Sequence, residues 1–146
     1  EFSINTEYVS STRLATHALN IRSTYWLRNP FNHPSVMFRK SCVMQAGGYM
    51  HMPLFEDWYL WIRMISLGAK CDNINSPLVY FRSDDSQLNR RRGIKYLRNE
   101  LHFIWTVKKE GHITLFQTIL RSLISFSFRL LPLPIFRLIT KQILRK

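Results

Sequence analysis

The segment from Asp57 to Leu67 constrains the fold most strongly, because it is apolar on nearly every side of the helix that it predicts. Such a helix needs neighbours all round, so it must pack inside a domain. Gly68 marks its end. The chain has 146 residues, of which 46% are hydrophobic, and this is enough for one domain with a real core around the helix.

Two adjacent carboxylates, Glu56 and Asp57, stand between aromatic residues at the start of this helix. Charged side chains are rarely buried without partners, so the pair suggests a carboxylate held at a pocket edge for proton transfer. The plainer alternative is that Asp57 caps the helix, a position where Asp is favoured. On the residues alone, both interpretations stay open.

Charge is distributed unevenly along the chain, whose formal net charge is +12. Residues 1–89 hold eight Lys or Arg against seven Asp or Glu, whereas residues 90–146 hold thirteen against two. This asymmetry predicts a basic C-terminal part that meets an anionic surface. The two cysteines, Cys42 and Cys71, have no metal-like spacing, which favours reduced thiols in a cytosolic setting.

Proline and glycine divide the rest of the chain into short elements. Two X-Pro pairs predict a rigid loop over residues 29–34, and a double glycine ends a short helix at Ser41–Ala46. A longer amphipathic helix is predicted from Ile94 to Glu110. Extended or alternating patterns predict short strands at the opening EFSI, at Ser35–Arg39, at Ile74 and at Leu78–Phe81, with a polar loop at Ser83–Asn89. Because the chain starts directly in a strand-like pattern, we expect it to come from the middle of a longer protein.

The last residues predict two amphipathic helices. On a helical wheel, the polar residues of Ile113–Leu131 fall within an arc of about 140°, opposite a wide apolar face. After Pro132 and Pro134, a second segment aligns Arg137, Lys141 and Arg145 in one stripe. Neither segment is a good membrane span, so we expect helices lying in the lipid headgroup region. The alternative is a helical hairpin packed on a protein partner.

Several motifs together carry a resemblance: NPFNHPSVMFRKSCVMQAGGY, PLFEDWYLWIRMISLGAK, NINSPLVYFR and the RRRG at 90–93. They resemble the C-terminal half of a family-2 bacterial glycosyltransferase of exopolysaccharide or O-antigen synthesis. The resemblance implies an α/β fold, namely the acceptor-side part of a GT-A type domain with short strands and packed helices. It would occupy residues 1–110, and basic amphipathic helices at 111–146 would form a membrane-interfacial tail.

The resemblance also implies roles for particular residues. Asp57 would be the base that deprotonates the acceptor hydroxyl, as a carboxylate is able to do. Glu56 would orient Asp57 or bond the acceptor, or else pair with an arginine such as Arg39 or Arg63. Further substrate-binding candidates are His33 for sugar hydroxyls, Trp58 for stacking on a sugar, and Arg90, Arg91 and Arg92 for a pyrophosphate. The alternatives for these five are a structural histidine, a core tryptophan and a solvated charge run; Trp61 is expected in the core.

The complete enzyme is expected to use Mg²⁺ or Mn²⁺ against the leaving diphosphate. The family's Asp-x-Asp motif has no counterpart here, since Asp84 and Asp85 are adjacent rather than spaced, so no metal ligands are predicted in this chain. The implied partners are a nucleotide-sugar donor, a lipid-linked saccharide acceptor and an anionic membrane surface, with the protein peripheral on the cytoplasmic face of the bacterial inner membrane.

Two other classes of function compete with this one: a non-catalytic basic membrane-binding module or remnant reading frame, and a nucleic-acid-binding protein. Nucleic-acid binding is disfavoured, because the bases of the tail are interleaved with Leu, Ile and Phe rather than clustered on a polar face.

Overall fold

The computed structural model describes residues 18–74, 76, 79 and 90–143, and these form a set of helices joined by short loops. The helices are α1 (Ala18–Thr24), α2 (Lys40–Gln45), α3 (Glu56–Ser66), α4 (Gly93–Lys109), α5 (Leu115–Arg129) and α6 (Leu133–Ile143), with a 3-10 turn at His33–Ser35.

The predicted α/β fold of GT-A type is wrong for this part of the chain, because no β-strand occurs among the described residues. The backbone is indeed extended at Val36 (φ −82°, ψ 143°) and at Arg39 (φ −77°, ψ 126°). A strand also needs a hydrogen-bonded neighbour, and this segment has none within the described ranges. Ile74 likewise has no regular structure. The predicted EFSI strand, most of Leu78–Phe81 and the Ser83–Asn89 loop lie outside the described residues.

The internal helix predicted from sequence is confirmed. In α3, Leu60 is fully buried and Ile62 is 1% exposed. One face packs with Phe103 and Ile104 of α4, and the other with Val43 of α2. At the C-terminal end, Gly68 adopts φ +87°, a left-handed conformation that favours glycine and lets the chain leave the helix.

Helices α4 and α5 form an antiparallel hairpin joined by ion pairs in its interior. Glu100 of α4 is fully buried and accepts from Arg121 Nη2 at 2.5 Å and from Arg129 Nε at 2.7 Å. Arg129 also donates to the carbonyl of Arg91 at 3.0 Å. Burial alone would raise the pKa of Glu100, but hydrogen bonds and positive charge from the two arginines hold it below its ordinary value. The carboxylate therefore stays ionised and ties both helices together.

The start of α5 is fixed by a capping box. Thr114 Oγ1 accepts from the amide of Gln117 at 3.2 Å, and the Gln117 side chain accepts from the amide of Thr114 at 2.8 Å. Two amides that have no partner within the helix are satisfied in this way.

Candidate active site

The carboxylate of Asp57 is held by a loop that lies 28 residues earlier in the chain. Asn29 Nδ2 donates to Asp57 Oδ2 at 2.9 Å, while Asn29 Oδ1 accepts from the amide of Phe31 at 3.2 Å. The second bond is a local turn that fixes the amide group, and Pro30 holds the backbone extended on its leading side. The loop is secured in turn by Asn73, whose Nδ2 donates to the Pro30 carbonyl at 3.2 Å.

Asp57 is not the cap of its helix. The N-cap of α3 is Phe55, which makes no side-chain capping bond, so Asp57 lies within the first turn. A negative carboxylate there is favoured by the positive end of the helix dipole. Asp57 is half-buried, whereas Glu56 beside it is exposed. The described contacts therefore assign the Asp57 carboxylate to the Asn29 loop rather than to the helix end.

A tyrosine and a histidine accompany the acidic pair. His33 Nε2 and the Tyr49 hydroxyl lie 3.1 Å apart, and their rings are tilted against each other. Burial and then the negative charges of Asp57 and Glu56 raise the pKa of Tyr49, so its hydroxyl lies within the electric field of the pair. Both His33 and Tyr49 are exposed to solvent, which leaves them accessible to a ligand.

Arg63 fixes the loop that carries Tyr49. Arg63 is 6% exposed, and its guanidinium donates to the carbonyls of Ala46 and Gly48, the latter at 2.8 Å. It also lies 4.4 Å above the ring of Tyr59. Arg63 is thus committed to backbone carbonyls, and the predicted alternative of a Glu56–Arg63 pair is not what the structure shows.

The two tryptophans of α3 are both core residues. Trp58 is 6% exposed, donates its indole N–H to the Tyr25 carbonyl at 2.7 Å, and packs against Phe55 and Phe103. This position favours a core role over the predicted stacking on a sugar, because stacking needs an accessible ring face. Trp61 is 3% exposed, as predicted for a core residue.

The arginine segment precedes α4 near the acidic pair. Arg90 and Arg91 are exposed, and Arg92 is the half-buried N-cap of the helix. One turn into α4, the ring of Tyr96 lies 5.3 Å from that of Phe55, the residue just before Glu56. The start of α4 therefore packs beside the start of α3. Cations at a helix N-terminus oppose the dipole, so three of them need a reason other than helix stability.

No group of three or more His, Cys, Asp or Glu side chains in the described part of the chain could hold a metal ion. The described residues do not supply the ligands for the Mg²⁺ or Mn²⁺ expected for the complete enzyme.

Two residues of this site, Asn29 and Tyr49, were not singled out from sequence. The Asn-Pro pair signalled only a rigid loop, and an asparagine that bonds its own turn is common in loops. Tyr49 follows the double glycine, which pointed to a helix end. Both residues act through a contact with a residue far away in sequence, and a local sequence pattern does not reveal such a contact.

The chain is similar in sequence to several bacterial glycosyltransferases. It is 34% identical over 119 residues to the UDP-Gal:alpha-D-GlcNAc-diphosphoundecaprenol beta-1,3-galactosyltransferase of Escherichia coli, a match covering 82% of this chain and 43% of that protein. It is 41% identical over 75 residues to the amylovoran biosynthesis glycosyltransferase AmsE of Erwinia amylovora, a match covering 51% of this chain and 28% of that protein.

A third relative, an uncharacterized glycosyltransferase of Haemophilus influenzae, is 32% identical over 144 residues, covering 96% of this chain and 52% of that protein. No protein-family model matches the chain, and no solved structure matches it. The chain spans about half the length, or less, of the curated relatives it matches. Over that part, the predicted resemblance to bacterial glycosyltransferases is confirmed: this chain is a homologue of bacterial glycosyltransferases of exopolysaccharide and O-antigen synthesis.

Proposed function

We propose that this chain forms the acceptor side of an inverting family-2 glycosyltransferase, with Asp57 as the general base. The observation that carries the proposal is the bond from Asn29 Nδ2 to Asp57 Oδ2, which orients a half-buried carboxylate outside the capping position. A carboxylate held this way by a distant loop suits proton transfer better than helix capping.

In the proposed reaction, Asp57 takes the proton of an acceptor hydroxyl as that oxygen attacks C1 of the donor sugar. The new oxygen–C1 bond forms while the bond from C1 to the nucleoside diphosphate breaks, and the diphosphate leaves with the electron pair. Because Oδ2 already accepts from Asn29, we assign proton acceptance to Oδ1. Glu56, exposed beside Asp57, would bond the acceptor.

The substrates are proposed from the relatives together with the surface around Asp57. The printed name of the E. coli relative gives a UDP-sugar donor and a lipid-linked GlcNAc-diphosphate acceptor; we propose a nucleotide-sugar and a lipid-linked saccharide for this chain. Exposed His33 and Tyr49 would bond sugar hydroxyls, and Arg90, Arg91 and Arg92 would hold the acceptor pyrophosphate.

The proposed setting is the cytoplasmic face of the bacterial inner membrane, where the protein would be peripheral and meet anionic lipid. Among the described residues, no helix is long and apolar enough to cross a membrane. In the complete enzyme, Mg²⁺ or Mn²⁺ would neutralise the leaving diphosphate, with ligands from outside this chain.

Two assays test the function. The first joins this chain to the portion of the E. coli relative that the match does not cover, which gives a fusion enzyme to be assayed for transfer from UDP-galactose to a GlcNAc-diphosphate acceptor. The second measures binding of that acceptor to the chain alone. We expect Arg90→Ala with Arg92→Ala to weaken acceptor binding about tenfold or more, since each charged hydrogen bond contributes about 1.5–3 kcal/mol. The matched control is Arg22→Ala, an exposed arginine on α1. Equal binding by both variants would exclude the pyrophosphate site.

A further inference from the structure

Helix α5 has its polar side inside the protein and its apolar side outside. Thr118, Arg121 and Ser125 are buried, with exposed fractions of 0%, 7% and 1%. The opposite side carries eight large apolar residues that are each at least 36% exposed. They are Leu115, Phe116, Ile119, Leu120, Leu123, Ile124, Phe126 and Leu130, here called the outer face. At about 100° per residue they span an arc of about 180°, in which Ser127 is the polar side chain.

The polar interior fixes this orientation. Arg121 and Arg129 both bond the fully buried Glu100, and Arg121 also donates to Ser125 at 3.2 Å. Rotating α5 to hide its apolar residues would leave the Glu100 carboxylate buried without its partners, which is strongly unfavourable. Arg121 and Arg129 are thus used internally, and the outer face is what α5 presents to its surroundings.

We propose that the outer face of α5 docks into the surface of an anionic lipid bilayer, with the helix lying in the plane of the membrane. The inference deepens, and rests on, the membrane location proposed above, and it names the apolar side chains that would insert. Phe116, which is 73% exposed, and Leu123, which is 61% exposed, lie near the middle of the arc and would insert deepest.

Three observations favour lipid over a protein partner. The face is wider than the narrow seam by which helices pair in coiled coils. It offers little hydrogen bonding, whereas protein interfaces carry about one hydrogen bond per 100–200 Å². From Gly111 to Lys146 the sequence has no Asp or Glu, and besides Arg121 and Arg129 it has four Lys or Arg, a composition complementary to anionic headgroups. Along one edge of the outer face, an open apolar groove of about 410 Å³, lined by Leu123, Ile124, Ser127, Phe128 and Leu131, is suited to an acyl chain.

Docking in this way would also hold the arginine segment, Arg90 to Arg92, close to the membrane surface. Arg129, on the inner side of α5, holds the carbonyl of Arg91. With the outer face in lipid, Arg91 and its neighbours would be held on the water side of the same helix. A pyrophosphate group at the membrane surface would then be within their reach.

The first test is co-flotation of the 146-residue chain with phosphatidylcholine vesicles containing about a quarter phosphatidylglycerol. We expect Phe116→Gln with Leu123→Gln to weaken binding about tenfold or more, because two inserted side chains lose their burial. The matched control is Met44→Gln with Leu67→Gln, which changes two comparably exposed residues outside α5. Equal binding by the outer-face variant and the wild type would overturn the proposal.

Salt and oligomeric state separate the alternatives. Insertion should persist in about 1 M salt, where the Debye length is about 3 Å; loss of all binding there would show that charge alone holds the chain and would overturn the proposal. Light scattering measures the oligomeric state, and so it shows whether a second copy of the chain covers the outer face instead of lipid. A wild-type dimer that the outer-face variant converts to a monomer, with no vesicle binding by either, would also overturn it.

A probe at the outer face gives a reading that does not depend on the variant's affinity. Leu123→Cys, on a Cys42→Ser and Cys71→Ser background, is labelled with a polarity-sensitive fluorophore. We expect its emission to move to shorter wavelength with the anionic vesicles, and an unchanged spectrum would contradict insertion. The fusion enzyme with the outer-face variant should still transfer sugar to a soluble acceptor analogue, so a failure of docking and a failure of catalysis are distinguished.

Discussion

Asn29 and Asp57 are joined side chain to side chain at 2.9 Å, which connects the rigid loop before the 3-10 turn to the first turn of α3. The amide of Asn29 is itself oriented by its bond from the backbone of Phe31, so it presents its NH₂ group to the carboxylate. A loop and a helix that are far apart in sequence thereby fix the position of one oxygen.

Asn29→Ala should lower the transfer rate of the fusion enzyme about tenfold to a hundredfold while leaving acceptor affinity nearly unchanged. The lost bond to a charged group contributes about 1.5–3 kcal/mol, and its loss frees the carboxylate to rotate. Steady-state kinetics would show the effect in kcat rather than in KM. Asn20→Ala, at an exposed position of α1, is the control; an equal effect from both would show that Asn29 does not position the base.

Glu100→Ala should destabilise the chain by about 3–5 kcal/mol, because it leaves the buried Arg121 uncompensated. Denaturant unfolding followed by circular dichroism measures this difference. Glu56→Gln, a change at an exposed acid, should alter the free energy of unfolding by about 0.5 kcal/mol or less. Similar values for the two variants would mean that the cluster does not join α4 and α5 energetically.

The same cluster predicts acid sensitivity. The pKa of Glu100 in the folded chain is below the ordinary value of 4.5, so its contribution to stability is present above pH 4.5 and is lost as pH falls through the lower, folded pKa. The gap in unfolding free energy between wild type and Glu100→Ala should therefore narrow below pH 4.5. A gap that stays constant over that range would contradict the lowered pKa.

Tyr59 predicts a loss of stability at alkaline pH. Burial and its hydrogen bond to Glu110 raise the pKa of Tyr59 from 10.0 to about 12. A raised pKa means that the stabilisation is complete below pH 10 and is lost as pH rises towards 12. Tyr59→Phe should remove this dependence. The difference in unfolding free energy between wild type and Tyr59→Phe should therefore shrink as pH rises from 10 to 12, because only the wild type loses this stabilisation. If the two proteins gave parallel curves of unfolding free energy against pH, the raised pKa of Tyr59 would be refuted.

Leu54→Gly should stabilise the chain by about 1 kcal/mol. Leu54 has φ 71°, a left-handed conformation that is unfavourable for a side chain with a Cβ and that glycine adopts freely. Its side chain is 55% exposed, so little packing is lost. Leu67→Gly, at an exposed position with an ordinary φ of −80°, should instead destabilise. Thermal unfolding measures both changes, and a fall in Tm for Leu54→Gly would argue against strain at this turn.

Four of the helices, α2 to α5, could be predicted from sequence to within about two residues, because their signals are local. The apolar run from Asp57 and the glycine after it correspond to α3 at Glu56–Ser66, and the helix predicted from Ile94 to Glu110 corresponds to α4 at Gly93–Lys109. The capping box of Thr114 and Gln117 was also present in the sequence, as a Thr-x-x-Gln pattern, and would have placed the start of α5 two residues later than predicted.

The predictions that failed concerned features that depend on partners distant in sequence. Alternation at Val36 and Phe38 reflected an extended backbone correctly, but no residue pattern states whether a second strand lies alongside. The helical wheel of α5 separated its polar and apolar arcs correctly. Which arc faces inward is decided by Glu100, 21 residues before Arg121 on another helix, and a wheel of one helix does not contain that information.

The most direct test of the central claim is the transfer rate of the fusion enzyme carrying Asp57→Asn, an isosteric change that removes the base. We expect a loss of about a thousandfold or more in kcat, consistent with the usual contribution of general base catalysis, with unchanged Tm and acceptor affinity. Glu56→Gln, one residue away, should be affected far less. Full transfer activity in a folded Asp57→Asn enzyme would show that Asp57 is not the general base.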